Sequence, residues 1–452
     1  MTIGGRRSRI DVVMRSFLRL LVSVILLAVL TTAVFPQCEI SAGKGVRAKE
    51  WDKIFSRSGP GWTGGDTTVS IELANGDSAF FFSDSFIGED PAMPGDGSVF
   101  TNSNGLRMRK PNCLPPICGP KPEVIHYVYN SVVVLSQDGR TVRTLTGPKD
   151  KFGYSTSYFR PKSGGPNDMY WLGDPIIVEV GGKKKIWMFL NEWDVARPFD
   201  KAFWIRYRAQ AIAQMDGDTL EIEKIVDLNH KTDEAIWGIS LWLNDRNELY
   251  IYGMRNEGSI EGVKRSSLEA ANKYKKLYVA KVDASKGIDF AADLKNWSAW
   301  NGNAFSKKLD DRASIIPLKD SISDELAIRR LNINGRPTFV MVTFDTSVGY
   351  SDWKDLYLYS ACEPQGPFET KHFVYRTPTA GQKTLPGMTG AESLQTGMSV
   401  YNPHMHPQFT KDGRLLISYN SNLSFGAKPG DSIYADFYRP RFVWVPIEGL
   451  KR

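Results

Sequence analysis

Beyond its first 40 residues the chain carries almost no pattern that would make a helix, and this constrains the fold more than any motif does. What recurs instead are runs of five to ten residues rich in β-branched and aromatic types, separated by Gly, Asn, Asp and Pro. The best helical pattern, Ser266 to Lys276, is short, polar and set between two strand-like runs. The rhythm predicts an all-β protein.

The runs fall into groups of about four, the strand number of a propeller blade. The first group holds Thr67 to Leu73, Ser78 to Phe86, His126 to Leu135 and Thr141 to Leu145; the second holds Tyr170 to Val180, Lys185 to Glu192, Phe203 to Gln214 and Leu220 to Asp227. The third takes Ile236 to Leu243, Glu248 to Met254, Lys276 to Val282 and Trp297 to Trp300, and the fourth Leu326 to Ile333, Thr338 to Phe344, Leu356 to Ser360 and Thr370 to Tyr375. The last offers only Met398 to Phe409, Leu415 to Tyr419 and Phe437 to Pro446, so its missing strand is expected from the segment around Trp51 to Phe55. The expected fold is therefore a five-bladed β-propeller of four-stranded antiparallel blades over residues 45–452, closed by an N-terminal strand, with an insertion at 89–122. A weak internal echo supports the grouping: Trp62-x-Gly64-Gly65-Asp66, Trp171-x-Gly173-Asp174 and Trp237-Gly238 each open a group.

Residues 1–40 read as an export segment. Arg6, Arg7, Arg9 and Arg15 precede an apolar run from Leu20 to Phe35, which ends in the small residues Thr31, Thr32 and Ala33. A cleaved signal peptide and an uncleaved anchor both fit this pattern. The expected location is secreted, periplasmic or cell-surface, with membrane contact only through this segment if it is retained, and the protein is expected to be a monomer. Export permits disulfides: Cys113 and Cys118 bracket a short loop, leaving Cys38 and Cys362 as a second pair. The net charge of +7 is interspersed with acids, and no basic stripe of the kind that binds nucleic acid is present. Lys183 to Lys185, the densest basic run, follows Gly181-Gly182 and reads as a solvated hairpin tip.

The most informative stretch is Gly64 to Phe86, GGDTTVSIELANGDSAFFFSDSF. Asn75-Gly76 is a strong hairpin signal between strand-like runs. A two-residue turn there sets Asp66 beside Asp84 or Ser85, and a small change of loop size makes the two aspartates direct partners. Opposed residues on an antiparallel pair have Cβ atoms about 4.5 to 5.5 Å apart, and like charges there are destabilising. Retaining glycosidases use two carboxyl groups about 5 to 5.5 Å apart, one as nucleophile and one as acid and then base. Asp66 and Asp84 are thus the candidate catalytic pair, against the plainer reading of two solvated aspartates at a strand start and a loop.

Other polar or aromatic positions lie at the ends of strand-like runs. Asp174, in WLGDP, is a candidate third acid or a turn opener. His404 and His406 in YNPHMHPQF alternate at period two, which fits a substrate contact, a metal pair or half-buried histidines. Asn130 in HYVYNSVVV and Tyr419-Asn420 in LLISYN are polar within apolar runs, and a buried Asn needs hydrogen-bond partners. The expected substrate contacts are Trp237 and Tyr419, stacking a sugar, with Asn130, Asp174 and His404 fixing its hydroxyls. No organic cofactor and no zinc site is expected; a structural Ca²⁺ has room in the channel, without a dedicated carboxylate cage.

The motifs GGDTTVSIELANGDSAFFFSDSF, WLGDPIIVEVGGKKKIWMFL, WGISLWLNDRNELYIYG, KKLYVAKVD and YNPHMHPQFTKDGRLLISYNSN together resemble the five-bladed propeller clan that includes glycoside hydrolase family 43. They are closer to the endo-D-arabinanase family first catalogued as a domain of unknown function, and equally to a related uncharacterised family of exported propellers. The resemblance spans roughly residues 50 to 450. In the arabinanase-like group it implies Asp66 and Asp84 as the catalytic pair; on the family 43 pattern one of them would join Asp174 and a glutamate such as Glu192 or Glu257. It implies an exported hydrolase of furanoside, arabinan-like polysaccharide or oligosaccharide, with a non-catalytic carbohydrate-binding or scaffolding propeller as the alternative. The insertion after Asp84 departs from the pattern and leaves the substrate open.

Overall fold

The strand-like runs pair with their nearest neighbours in sequence, and each set of hairpins makes one blade. A computed structural model describes residues 38–88, 99–101, 107–109, 127–139, 142–151, 153–162, 168–195, 205–229, 235–256, 275–317, 320–346, 354–378, 398–423, 433–434 and 438–452. The expected export segment before residue 38, Cys113, Cys118, Glu257 and the polar helical pattern up to residue 274 lie outside these residues.

The chain enters through β1 (Val46–Arg47) and helix α1 (Lys49–Ile54). Blade one begins with β2 (Gly61–Glu72) and β3 (Ser78–Gly88). After the small strands β4 (Val99–Thr101) and β5 (Arg107–Arg109) it is completed by β6 (Tyr127–Val128), β7 (Ser131–Leu135) and β8 (Val142–Leu145). Blade two is β9 (Asp168–Val180), β10 (Lys183–Val195), β11 (Ile205–Asp216) and β12 (Ile222–Asp227). Blade three is β13 (Ile236–Leu243), β14 (Glu248–Asn256), β15 (Lys275–Asp283), β16 (Ser298–Trp300) and β17 (Phe305–Ser306). Blade four is β18 (Ala327–Ile333), β19 (Arg336–Phe344), β20 (Asp355–Ala361) and β21 (Lys371–Arg376). Blade five holds β22 (Met398–Met405), β23 (Arg414–Leu423) and β25 (Arg439–Pro446); β24 (Ile433–Tyr434) pairs instead with β5, and β26 (Leu450–Lys451) adds to β18. All the pairings are antiparallel, and the innermost strands β2, β9, β13, β18 and β22 touch in a closed ring. This is a five-bladed β-propeller.

Both faces of each blade are buried against neighbours, so strands read as continuous apolar runs rather than as alternation. The run Phe80-Phe81-Phe82 shows why: Phe81 joins Val132, Leu172, Ile186 and Met188 between blades one and two, while Phe80 and Phe82 point the other way, into the crevice with blade five. Burying each such ring contributes about 1.5 to 3 kcal/mol.

The ring is closed in a different way from that expected. The Trp51 to Phe55 segment is helix, not strand, because Trp51, Ile54 and Phe55 recur at helical spacing and share one face. That face fills the crevice between blades five and one, with Trp51 4.3 Å from Phe409 and Phe55 stacked 5.2 Å from Phe442, centroid to centroid. The missing strand is β1, which pairs Val46 with Trp444 and Arg47 with Val443. Buried Asp52 fixes the junction by accepting from Phe442 N at 3.0 Å and pairing with Arg47.

The sequence echo also has a structural meaning. Four of the five innermost strands break their ladder at one comparable place: β2 around Gly65 and Thr67, β9 beside Gly173, β13 between Trp237 and Ser240, and β22 between Tyr401 and His404. The bulge in β9 turns Asp174 inward. Asp174 accepts from Leu241 N (2.8 Å) and Ser240 Oγ (3.2 Å) and takes both terminal nitrogens of Arg329 at 2.7 Å, tying blades two, three and four together. Removing one partner of a buried pair leaves an uncompensated charge. Asp174→Asn is therefore expected to lower unfolding stability in urea by about 3 kcal/mol; unchanged stability would contradict this staple.

Candidate active site at the acid pair

Within Trp62–Ser70 and Ser78–Gly88 every residue is buried except Asp66 and Asp84. The turn that aligns them is one residue longer than Asn75-Gly76 suggests. Ala74, Asn75 and Gly76 form a three-residue loop, closed by Leu73 N to Asp77 O (2.8 Å) and Gly76 N to Leu73 O (3.0 Å), with Gly76 at φ 84°. Ile71 then pairs with Ala79 and Glu72 with Ser78, and this register carries Asp66 level with Asp84. The ladder runs from Gly65 opposite Ser85 to Thr67 opposite Phe82, so Asp66 faces Ser83 and Asp84 across an irregularity.

The irregularity is strained. Thr67 and Thr68 sit at φ 69° and 63°, left-handed conformations that a β-branched residue rarely adopts. Each costs on the order of 1 to 3 kcal/mol and persists only where its surroundings hold it. Here Thr67 Oγ1 donates to Ser83 Oγ (2.7 Å) and lies 3.2 Å from Glu325 Oε1, while Asn420 Nδ2 donates to Thr68 Oγ1 (3.0 Å) and Gly65 O (3.3 Å). Blades four and five thus brace the bulge that carries Asp66.

Aromatic donors surround both carboxyls. Tyr438 and Tyr401 hydroxyls donate to Asp66 Oδ2 at 2.7 and 3.1 Å. Trp171 Nε1 donates to Asp84 Oδ1 at 3.1 Å, and the Tyr127 hydroxyl also hydrogen-bonds Asp84. Among the described residues no lysine or arginine forms an ion pair with either aspartate. Burial, then the charge of Asp84, push Asp66 up to about 8 against the pull of its two tyrosines. Burial lifts Asp84 to about 6, restrained by Tyr127 and Trp171. At neutral pH one carboxyl therefore holds a proton while its neighbour is ionised.

Glu325 is a third carboxyl at this place. Burial and then Asp66 raise it well above the ordinary carboxyl range, and its other oxygen lies 3.3 Å from His404 Nε2. His404 is buried and kept neutral by burial and by the Arg329 charge. His406 is buried too, pushed down to about 3 by the same two causes, and lies between Ser70 and Ser418. No cluster of three or more His, Cys, Asp or Glu side chains suited to a metal ion occurs among the described residues.

The structure brings Asp66, Asp84 and His404 to one site and employs the other four predicted contacts in the interior. Asn130, fully buried, donates to Phe159 O and Tyr170 O at 3.0 Å and accepts from Phe159 N. Asp174 is saturated by its staple. Trp237 is packed against Trp297 at 5.6 Å between blades two and three, and Tyr419 is buried against Phe344 and Tyr375. In this structure the four side chains serve the fold's own packing and hydrogen bonding. The residues that do face the acids, Tyr127, Trp171, Glu325, Tyr401 and Tyr438, were not assigned from sequence. Trp171 and Tyr401 lie within quoted motifs beside Asp174 and His404; Glu325, in the polar stretch SISDEL, carried no signal.

A family model described as Domain of unknown function (DUF5005) matches residues 48–446. No curated protein matches the chain. Among solved structures, a Bacteroides ovatus protein named for an inferred hydrolase activity aligns with a TM-score of 0.59 at 20% identity, covering 90% of this chain and 93% of that one. The α-L-arabinanase of Penicillium chrysogenum, complexed with arabinobiose, aligns at a TM-score of 0.36 and 12% identity over 90% and 98% of the two chains. An endo-arabinase from Bacteroides thetaiotaomicron gives 0.37 and 12% over 89% and 97%. The first of these similarities shows the shared fold; the other two add nothing to the reading of the site.

Asp66 binds a proton in the folded state that the unfolded chain releases near pH 3.8, so its contribution to stability falls as pH rises from about 4 to 8. Asp66→Asn removes that penalty. The variant is expected to be more stable than the parent at pH 8 by roughly 1 to 3 kcal/mol, with the gain shrinking toward pH 4. Urea titrations across this range that show equal stabilities would contradict the buried pair.

Proposed function

We propose that the chain, which belongs to the DUF5005 family, is an exported glycoside hydrolase acting on furanoside, arabinan-like polysaccharide through Asp66 and Asp84. The observation that carries this reading is a pair of carboxyls opposed on a bulged hairpin, unpaired by any described cation and split in protonation at neutral pH. A fold that needed only stability would not set two acids there.

Opposed positions of this kind fit the close carboxyl spacing of a retaining mechanism, about 5 to 5.5 Å. Asp66, protonated, gives its proton to the leaving oxygen as the glycosidic bond breaks. Asp84, ionised and steadied by Trp171 and Tyr127, attacks the anomeric carbon and forms a glycosyl ester. Asp66, now a carboxylate held by Tyr438 and Tyr401, takes a proton from water as that water displaces Asp84, which restores both groups. Glu325 and His404 position the Thr67 bulge rather than react. Cys38 and Cys362 are each disulfide-bonded, which suits an oxidising compartment and supports export.

The test is product release from arabinans, arabinogalactans and xylans by the parent, Asp66→Asn and Asp84→Asn. Both variants are expected to lose on the order of 10³-fold or more in kcat/KM. The parent's profile should be bell-shaped, rising near pH 6 with ionisation of Asp84 and falling near pH 8 with deprotonation of Asp66. No product from any glycan, with glycan binding intact in all three proteins, would replace the hydrolase by a carbohydrate-binding propeller.

A further inference from the structure

Among the described residues most large aromatic side chains are buried, but three that touch one another on blade two are not. Trp171, Trp193 and Tyr207 are each only partly buried. They touch in sequence, Trp171 and Trp193 with centroids 5.1 Å and planes 44° apart, and Trp193 and Tyr207 5.3 Å and 70° apart, edge to face, so that the rings form a stepped row rather than one flat surface. Strand pairing sets this row. Trp171 lies opposite Asn191, Trp193 opposite both Met169 and Tyr207, so the three rings step from the innermost strand β9 across β10 to β11.

The row starts at the acids, because Trp171 Nε1 is the donor to Asp84. Trp193 Nε1 is covered and has no hydrogen-bond partner among the described residues, so tryptophan at this position is used for its ring. The opposite face of the same strands is polar, because successive side chains alternate. Asp194 is part-buried and paired with Arg208 at 3.0 Å, and Arg208 is itself exposed. Partly exposed aromatic side chains that begin at a pair of carboxyls suit a ligand with an apolar face and a rim of hydroxyls, which is a sugar ring.

We infer that Trp171, Trp193 and Tyr207 form an extended binding platform for a chain of sugar residues, running outward from the acid pair along blade two. This rests on the hydrolase reading for what happens at the acids, but not for the binding itself. The ligand class is a linear oligosaccharide or polysaccharide, with one residue at the acids and its neighbours stacked along the row. A terminal monosaccharide group would use Trp171 alone.

The experiment compares the parent full-length protein with Trp193→Ala, Tyr207→Ala and the milder Trp193→Phe, all checked for an unchanged thermal melt. The probes are linear arabino-oligosaccharides of two to six residues and the aryl glycoside 4-nitrophenyl arabinofuranoside. Expected is a loss of roughly tenfold or more in kcat/KM on the longest oligomers for the alanine variants, less for Trp193→Phe, with the aryl glycoside changed by less than about twofold. Equal losses on all probes, or none on the oligomers, would overturn the platform. If the parent hydrolyses nothing, calorimetric binding of the same oligomers decides. Length-dependent binding lost in Trp193→Ala upholds the platform while the hydrolase reading falls, and binding that is absent or indifferent to Trp193 overturns the platform.

Discussion

Two carboxyls facing each other across one hairpin, each only partly exposed in an otherwise buried pair of strands, are the constraint around which the rest of this structure is arranged. Opposed carboxylates repel, and burial removes the solvent that would screen them. The pair persists because one member keeps its proton and because the protein surrounds both with neutral donors, Tyr438 and Tyr401 on Asp66 and Trp171 and Tyr127 on Asp84. A lysine or arginine in the same place would have held both carboxyls ionised and erased the difference between them. The donors come from blades one, two and five, so the site exists only when the ring is closed.

Closure is therefore a condition of the site. Helix α1 seals the crevice between the last blade and the first, and the Asp174–Arg329 pair joins blades two, three and four. The strained threonines at 67 and 68 are held from blades four and five by Glu325 and Asn420. Each contact links distant parts of the chain, and each bears on where Asp66 sits relative to Asp84. Strain at the bulge and repulsion in the pair are costs that the apolar crevices between blades offset.

Much of the fold was legible because a propeller repeats local hairpins: period-two and apolar runs, Gly and Asn turns and groups of four are all short-range signals. The acid pair was legible for the same reason, being two positions on one hairpin whose register is fixed by Asn75-Gly76 and the apolar runs beside it. Trp237, Tyr419, Asn130 and Asp174 show where local reading ends. Aromatic and polar residues at strand ends look alike whether they face a neighbouring blade or a ligand, and the choice is made by packing between blades that are far apart in sequence. Glu325 is the converse, an acid in an unremarkable loop that only the closed ring brings to Asp66. The Trp51 to Phe55 segment misled because it is apolar enough for a strand, while its three-and-four spacing belongs to a helix.

That Asp66 and Asp84 sit opposed in a largely buried hairpin and titrate apart can be seen directly by ¹³C NMR of the side-chain carboxyls in protein labelled at aspartate, followed from pH 3 to 9. Two carboxyl signals are expected to titrate far above the rest, near 6 and near 8, with the upper one absent in Asp66→Asn and the lower one absent in Asp84→Asn. Two aspartates that both titrate near 4, like solvated side chains, would contradict it.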